Sequence, residues 1–409
     1  MSVRSLIALT ILTASLPLAA QEAWIGTWGA SPLPPSPAAG PFPATPSFEN
    51  QTVRQIVRVS AGGAKIRLRL TNEYGTTPVE IGAARVAIAD GEAGLRSGTD
   101  RLVTFDGRPS GMIPAGAPLL SDPIDLAVAD LENLSVSLYF PSATGACTCH
   151  ATGMQHTYVS AAGDFTTGTF TAAQTIQARA FLSGVEVLRD GGVIVAFGDS
   201  ITDGIGSTAG ANRSWPYLLA ERLATRRRAE PFGVVNQGIS GNRVLSDGAG
   251  ESALARFDRD VLSVPGVTHV IVFEGVNDLG IAYGRFEGPL AAIRNLMPQG
   301  LAATPETMIA GYRQLIARAH AKGLKIYGAT IAPYQGAMYF SAEGEAVRAA
   351  VNQWIRESGE FDAVLDFDAV LRDPAQPAQI KDGLHAGDFL HGSDAGYKAV
   401  AESIDLRLF

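Results

Sequence analysis

Two patterns of hydrophobic and polar positions divide the chain. From Trp24 to about Leu188 the period is close to two. In residues 65–70, Lys-Ile-Arg-Leu-Arg-Leu, charged and apolar side chains alternate strictly, and in residues 134–140 Leu134, Val136, Leu138 and Phe140 share one face. Such alternation predicts strands with one buried and one solvated face. Turn residues at Gly62-Gly63, Asn72 to Gly75 and Asp90-Gly91 separate the runs, and no helical spacing intervenes. An all-β, antiparallel sandwich is the expected fold for this half. The Pro-rich stretch from Pro32 to Pro46 would lack ladder donors and is expected to run extended over the surface.

After Asp190 the pattern changes to short, nearly continuous apolar runs at 193–197, 267–273, 324–331 and 363–367, with 232–235 as a weaker fifth. Strands buried on both faces read this way. Segments with helical spacing lie between them. In 304–322, Met308, Tyr312, Leu315, Ile316 and Ala319 share a face, Thr304-Pro305 supplies a cap with a first-turn proline, and Gly323 a stop. Strands alternating with helices predict an α/β, doubly wound parallel sheet whose functional loops lie at the carboxyl ends of its strands.

The first twenty residues differ from both halves: Arg4 carries a positive charge, residues 6–18 are apolar, and Ala19-Ala20 precede Gln21. This predicts a secretory signal peptide at 1–20, followed by a β domain at 21–188 and an α/β domain at 189–409. No later run reaches the ~18 apolar residues of a spanning helix, so an exported protein without stable membrane insertion is expected. A net charge of −8 argues against nucleic acid as a partner. The sequence is silent on oligomeric state.

Cys147 and Cys149 are the only cysteines. An oxidising compartment is compatible with a local disulfide between them, and so is a pair of small buried side chains. His150 and His156 lie nearby, but the spacing fits no common zinc pattern, and neither metal nor cofactor is expected.

Candidate chemistry gathers where the α/β strands end. The first buried run leads into Gly198-Asp199-Ser200-Ile201-Thr202-Asp203-Gly204, which puts Ser200 at a strand-to-helix handover where backbone amides favour developing negative charge. Ser200 there is either a nucleophile or a helix cap. No Gly-x-Ser-x-Gly elbow occurs, which disfavours the usual α/β-hydrolase arrangement. Of six histidines, His269 lies in an apolar run and His320 in a helical one, while His385 and His391 each follow an aspartate by three residues, Asp382 and Asp388. A carboxylate at that spacing can fix the tautomer of its imidazole. Two further strand-end loops, residues 236–242 with Gly241 and residues 274–278 with Asn277, offer neutral amide donors of the kind an oxyanion needs.

Together these four segments, over roughly residues 191–409, resemble the four signature blocks of the SGNH hydrolases, the GDSL esterase and lipase superfamily. The resemblance implies a flavodoxin-like sheet with Ser200 as nucleophile, His391 as general base and Asp388 as its orienting carboxylate. It also implies an oxyanion hole from the Ser200 amide, the Gly241 amide and the Asn277 side chain. Gly396-Tyr397 follows His391 at the family's spacing and favours it over His385. Gly392 stands where the family often has proline, which leaves Asp382 as a reserve partner. More weakly, Trp24 to Trp28 and the segment Arg67 to Gly75 resemble the β-rich portion of secreted bacterial members, in which the tryptophans are expected to serve the core.

The function expected from this reading is an exported serine esterase acting through an acyl-enzyme on a small-molecule or polysaccharide ester, with carbohydrate deacylation foremost. Lipase or lysophospholipase activity and acyl transfer use the same residues and stay open, as does a glycan-binding protein on a degenerate scaffold.

Overall fold

The computed structural model describes residues 22–38, 43–226, 231–286 and 300–409. The expected signal segment, 1–20, lies outside them. The longer strands of the N-terminal half are β1 (Trp24–Gly29), β2 (Gln51–Arg58), β3 (Ile66–Thr71), β4 (Ala83–Asp90), β5 (Asn133–Phe140), β6 (Thr157–Ala162) and β7 (Leu182–Leu188). They form two antiparallel sheets. One runs β1, β7, β3 and then Pro118–Leu120; the other runs Ala172–Ile176, β6, β2, β5, β4 and then Gly94–Leu95. Apolar side chains of both, Ile66, Leu68 and Leu70 from one and Val53, Val57, Val86 and Val136 from the other, belong to one continuous core. The Pro-rich stretch contributes only isolated bridges where it is described, such as Leu33 with Cys149.

Alternation predicted a solvated face on β5, and the structure corrects this. Leu134, Val136, Leu138 and Phe140 are buried, but so are Ser135 and Ser137 on the opposite face. The cover over Ser137 is Arg54 of the neighbouring strand, whose Nε donates to Ser137 Oγ at 2.9 Å while its guanidinium lies over the Phe170 ring. Small hydroxyls leave room for a long side chain to lie flat across the sheet.

The C-terminal half holds a five-stranded parallel sheet of β8 (Gly192–Gly198), β9 (Phe232–Gly238), β10 (Val267–Phe273), β11 (Lys325–Ala329) and β12 (Ala363–Leu365), in the order β9-β8-β10-β11-β12. Among the described residues its α-helices are α1 (Ser200–Asp203), α2 (Trp215–Ala224), α3 (Ala253–Phe257), α4 (Val276–Tyr283), α5 (Pro305–Ala321), α6 (Ala342–Glu357), α7 (Phe367–Leu371) and α8 (Asp394–Ser403). They pack in two groups, α2 with α8 and α7, and α6 with α4 and α5. The 304–322 pattern becomes α5 as its spacing predicts, capped by Thr304 Oγ1 accepting from the Thr307 amide. Two apolar runs overstate their strands. The run 324–331 is strand only over β11, and 363–367 ends at Leu365, because the Asp366 side chain accepts from the Ala369 amide and starts α7 at Phe367.

The two halves are pressed together along β1 and β9. Gly26 N donates to Pro265 O at 2.8 Å, and a Cβ on Gly233 would sit 2.2 Å from Gly26 O, so the two backbones meet at a distance only glycine permits. Polar side chains extend the junction: Trp28 Nε1 donates to Tyr217 Oη, Arg58 pairs with Glu221 at 2.8 Å, and Ser31 Oγ donates to Gln237 Oε1 at 2.6 Å. Trp28 is buried here as a core residue, whereas Trp24 is half-buried beneath the Arg67 guanidinium. Among the described residues no helix is long and apolar enough to cross a membrane.

Candidate active site

β8 ends at Gly198, and Asp199 turns the chain directly into α1 by accepting the Ile201 amide on its side chain at 2.9 Å. Ser200 is therefore the first residue of a one-turn helix at the carboxyl end of the sheet, and it is buried. The turn is tight. A Cβ on Gly238, at the end of the adjoining β9, would lie 2.2 Å from the Asp203 amide. The handover anticipated from sequence thus forms, with Asp199 rather than Ser200 as the cap.

His391 arrives from the loop before α8. Its Nε2 lies 2.9 Å from Ser200 Oγ and its Nδ1 lies 2.6 Å from Asp388 Oδ2. Because an ionised carboxylate only accepts, Nδ1 carries the proton and Nε2 is left to accept from the Ser200 hydroxyl. The second oxygen of Asp388 accepts the amides of Leu390 and His391, both at 3.0 Å, across a turn with Phe389 at φ 57°. Burial alone would raise the Asp388 pKa, but hydrogen bonds from the His391 ring and from these amides outweigh it and hold the group at about 2. His385 stands apart from this chain. It stacks on Phe389 with ring centroids 4.2 Å apart, accepts the Gly387 amide on Nδ1, and lies 3.7 Å from Asp382.

The other two loops rise beside Ser200. Asn277 lies in the first turn of α4, buried, with Nδ2 donating to Asn242 O at 2.9 Å and Oδ1 accepting from Tyr339 Oη at 3.1 Å. Gly241 occupies the left-handed region at φ 80°. Asp278 accepts the Val244 and Leu245 amides at 2.8 and 3.0 Å, which ties the 236–242 loop's continuation to α4.

Residues 196–399 match the model of the GDSL-like lipase/acylhydrolase family. The chain carries a GDSL-like lipase/acylhydrolase domain. Solved structures to which this part is similar include a lipase/acylhydrolase from Enterococcus faecalis (20% identity, 52% of this chain and 92% of that one, TM-score 0.38). A GDSL-like lipase from Bacteroides thetaiotaomicron (15%, 51% and 84%, TM-score 0.37) and an acetyl xylan esterase (20%, 52% and 96%, TM-score 0.37) are similar in the same way. No curated protein sequence matches the chain.

Several residues that support the GDSL domain's site escaped the sequence reading. Arg256 of α3 is fully buried beneath it, donating to Asn242 Oδ1, Ser31 Oγ, Gln237 O, Asp260 Oδ2 and Gly198 O, with its guanidinium over the Phe197 ring. One cation thus ties the ends of β8 and β9 to the glycine loop. Around it lie buried acids. Burial pushes Asp199 up to about 7 and Asp278 up to about 6, and it raises Glu274 well above the usual range. Also missed are Tyr339, which donates to Asn277, and His150, joined to Asp203 at 2.9 Å. The neighbouring cysteines form a disulfide, Cys147–Cys149, and no group of metal-binding side chains occurs among the described residues.

Proposed function

We propose that this protein is an exported serine esterase that cleaves carboxylic esters through an acyl-enzyme. The observation that carries the reading is the continuous chain from Ser200 Oγ through His391 to Asp388, at 2.9 and 2.6 Å, within a GDSL-like lipase/acylhydrolase domain. Ser200 Oγ attacks the ester carbonyl as His391 Nε2 takes its proton, and Asp388 stabilises the imidazolium that forms. The tetrahedral oxyanion is received by the Ser200 and Gly241 amides and by Asn277 Nδ2, neutral donors held before the charge develops. His391 then gives the proton to the departing alcohol, and water, activated by the same imidazole, releases the acid.

The substrate class we favour is an acylated carbohydrate. An N-terminal β-sandwich at 21–188, preceded by a signal peptide at 1–20, suits an enzyme that meets a polysaccharide outside the cell. The doubly wound, flavodoxin-like reading of 189–409 is supported by the strand order β9-β8-β10-β11-β12. No cofactor or metal takes part in this chemistry.

Hydrolysis of p-nitrophenyl acetate, butyrate and octanoate by the purified protein tests the reading. We expect an optimum at acetate, activity abolished in Ser200→Ala and His391→Ala, and activity kept in His385→Ala. Full activity in Ser200→Ala would overturn the assignment, and an optimum at octanoate would move the substrate to lipid.

A further inference from the structure

His150 belongs to the N-terminal half, yet its ring lies fully buried against the helix that begins with Ser200. Nδ1 is 3.0 Å from Ser31 O and Nε2 is 2.9 Å from Asp203 Oδ1. Both neighbours are acceptors, so both ring nitrogens carry protons and the ring is an imidazolium. The second oxygen of Asp203 accepts hydroxyl hydrogens from Thr152 and, at 2.8 Å, from Ser240. Burial by itself would lower the His150 pKa. The charge and hydrogen bond of Asp203 together with the Ser31 carbonyl more than compensate, against an opposing push from Arg179, and the net shift is upward.

Asp203 joins two parts of the site. It is the last residue of α1, three after Ser200, and through Ser240 it grips the residue that precedes Gly241. Thr152 and Ser240 are also 3.0 Å apart, so the N-terminal half touches the glycine loop directly. Asn236 Nδ2 donates to Thr202 O at 2.8 Å and binds the same two segments from below. The distance between the Ser200 amide and the Gly241 amide therefore depends on a carboxylate whose charge is balanced from outside the GDSL domain.

We propose that His150 is a positioning residue of the esterase site, holding Asp203 so that α1 and the 238–242 loop present the Ser200 and Gly241 amides to one oxyanion. This rests on the esterase reading above. It gives the β half a part in catalysis: the half supplies the counter-charge that lets a buried carboxylate brace the site. Without the His150 donor, a buried Asp203 oxygen would lose its partner and draw in water, releasing the loop. A donor displaced by an ångström loses most of its effect on a transition state while binding of the neutral ester is barely touched.

The test compares wild type with His150→Gln, His150→Phe, Ser240→Ala and the His150→Gln/Ser240→Ala double variant. Steady-state kinetics on p-nitrophenyl acetate are combined with amide hydrogen exchange followed by mass spectrometry. We expect kcat to fall roughly 100-fold in His150→Phe and roughly 10-fold in His150→Gln and Ser240→Ala, with KM within about twofold of wild type. The double variant should fall no further than the worse single one, because both changes break the same brace. Peptides covering 199–205 and 238–243 should exchange faster in His150→Gln than in wild type. Should His150→Phe fail to fold, His150→Gln and Ser240→Ala carry the test. A folded His150→Gln with wild-type kcat, effects that multiply in the double variant, or a rise confined to KM would overturn the proposal. If wild type does not hydrolyse the ester, the esterase reading fails, and exchange still decides the brace: unchanged rates in both peptides would overturn it.

Discussion

Tyr339 donates its phenolic hydrogen to Asn277 Oδ1 at 3.1 Å, while the other end of the same carboxamide donates to Asn242 O at 2.9 Å. An amide that accepts at one end and donates at the other has a single satisfied orientation, and in the mechanism proposed above its remaining Nδ2 hydrogen serves the oxyanion. Tyr339 is buried, and burial raises its pKa well above the usual value, so it stays a donor throughout any practical assay. Tyr339→Phe should lower kcat about 10-fold with KM little changed, since the cost is one of orientation; an unchanged kcat would show that Asn277 is held without it.

The Asp388 carboxylate accepts three hydrogens, from the His391 ring and from two amides. Asp388→Asn keeps an acceptor for the amides but no longer favours the tautomer that leaves Nε2 free, so kcat should fall by about 10²–10⁴ with the fold intact. The sign of the accompanying stability effect follows from a folded pKa of about 2, below the ~3.9 of an unfolded aspartate. The contribution is present above about pH 4 and is lost as pH falls through 2. A gap in Tm between wild type and variant that narrows over that window checks it. Because the side chain is 47% exposed, the gap should be small.

What could be read from sequence, and what could not, follows the range of each interaction. Apolar runs located the five parallel strands, and Ser200, Gly241 and Asn277 follow within a few residues of the carboxyl ends of three of them. Asp388 and His391 are three residues apart, so their pairing was visible as a local spacing. Choosing His391 over the equally spaced His385 rested on the family resemblance, through the spacing to Gly396-Tyr397, since nothing in Asp-x-x-His itself shows which loop reaches Ser200. His150, Arg256 and Tyr339 were missed for the opposite reason. Their partners Asp203, Gly198 and Asn277 are 53, 58 and 62 residues away, and periodicity carries no information over such distances. The buried face of β5 was missed likewise, because serine reads as solvated unless its covering arginine is known.

Glu274 is buried at the end of β10, 3.8 Å from Arg256 Nη2, and its Oε2 has no hydrogen-bond partner among the described residues. Arg256 already donates to five oxygens, so it offers too little to offset burial, and the carboxyl pKa is raised. A folded pKa above the unfolded ~4.3 means stability that is full below that value and lost as pH climbs through the folded one. Glu274→Gln should leave Tm at pH 4–5 within about 2 °C of wild type and raise it at pH 8–9. A variant that is less stable across the whole range would show that the ionised form is the one the fold uses.

The junction between the halves makes a separate demand, on backbone rather than on charge. A Cβ on Gly233 would sit 2.2 Å from Gly26 O and in ordinary contact with Val193 Cγ2 at 3.4 Å. Gly26 cannot yield cheaply, being fixed by its own bond to Pro265 O and by the β1 ladder to β7, and Val193 lies in β8, an interior strand of the sheet. Gly233→Ala should therefore push β1 away from β9 and destabilise the protein by about 1–3 kcal/mol, which for a chain of this length lowers Tm by several degrees. The same displacement would reach the site through Ser31, whose carbonyl holds His150 and whose hydroxyl holds Gln237. We expect kcat to fall together with Tm, faster cleavage by a protease at the junction, and no change in KM. A loss of Tm with kcat fully retained would mean that the two halves can separate at this edge without the catalytic loops following.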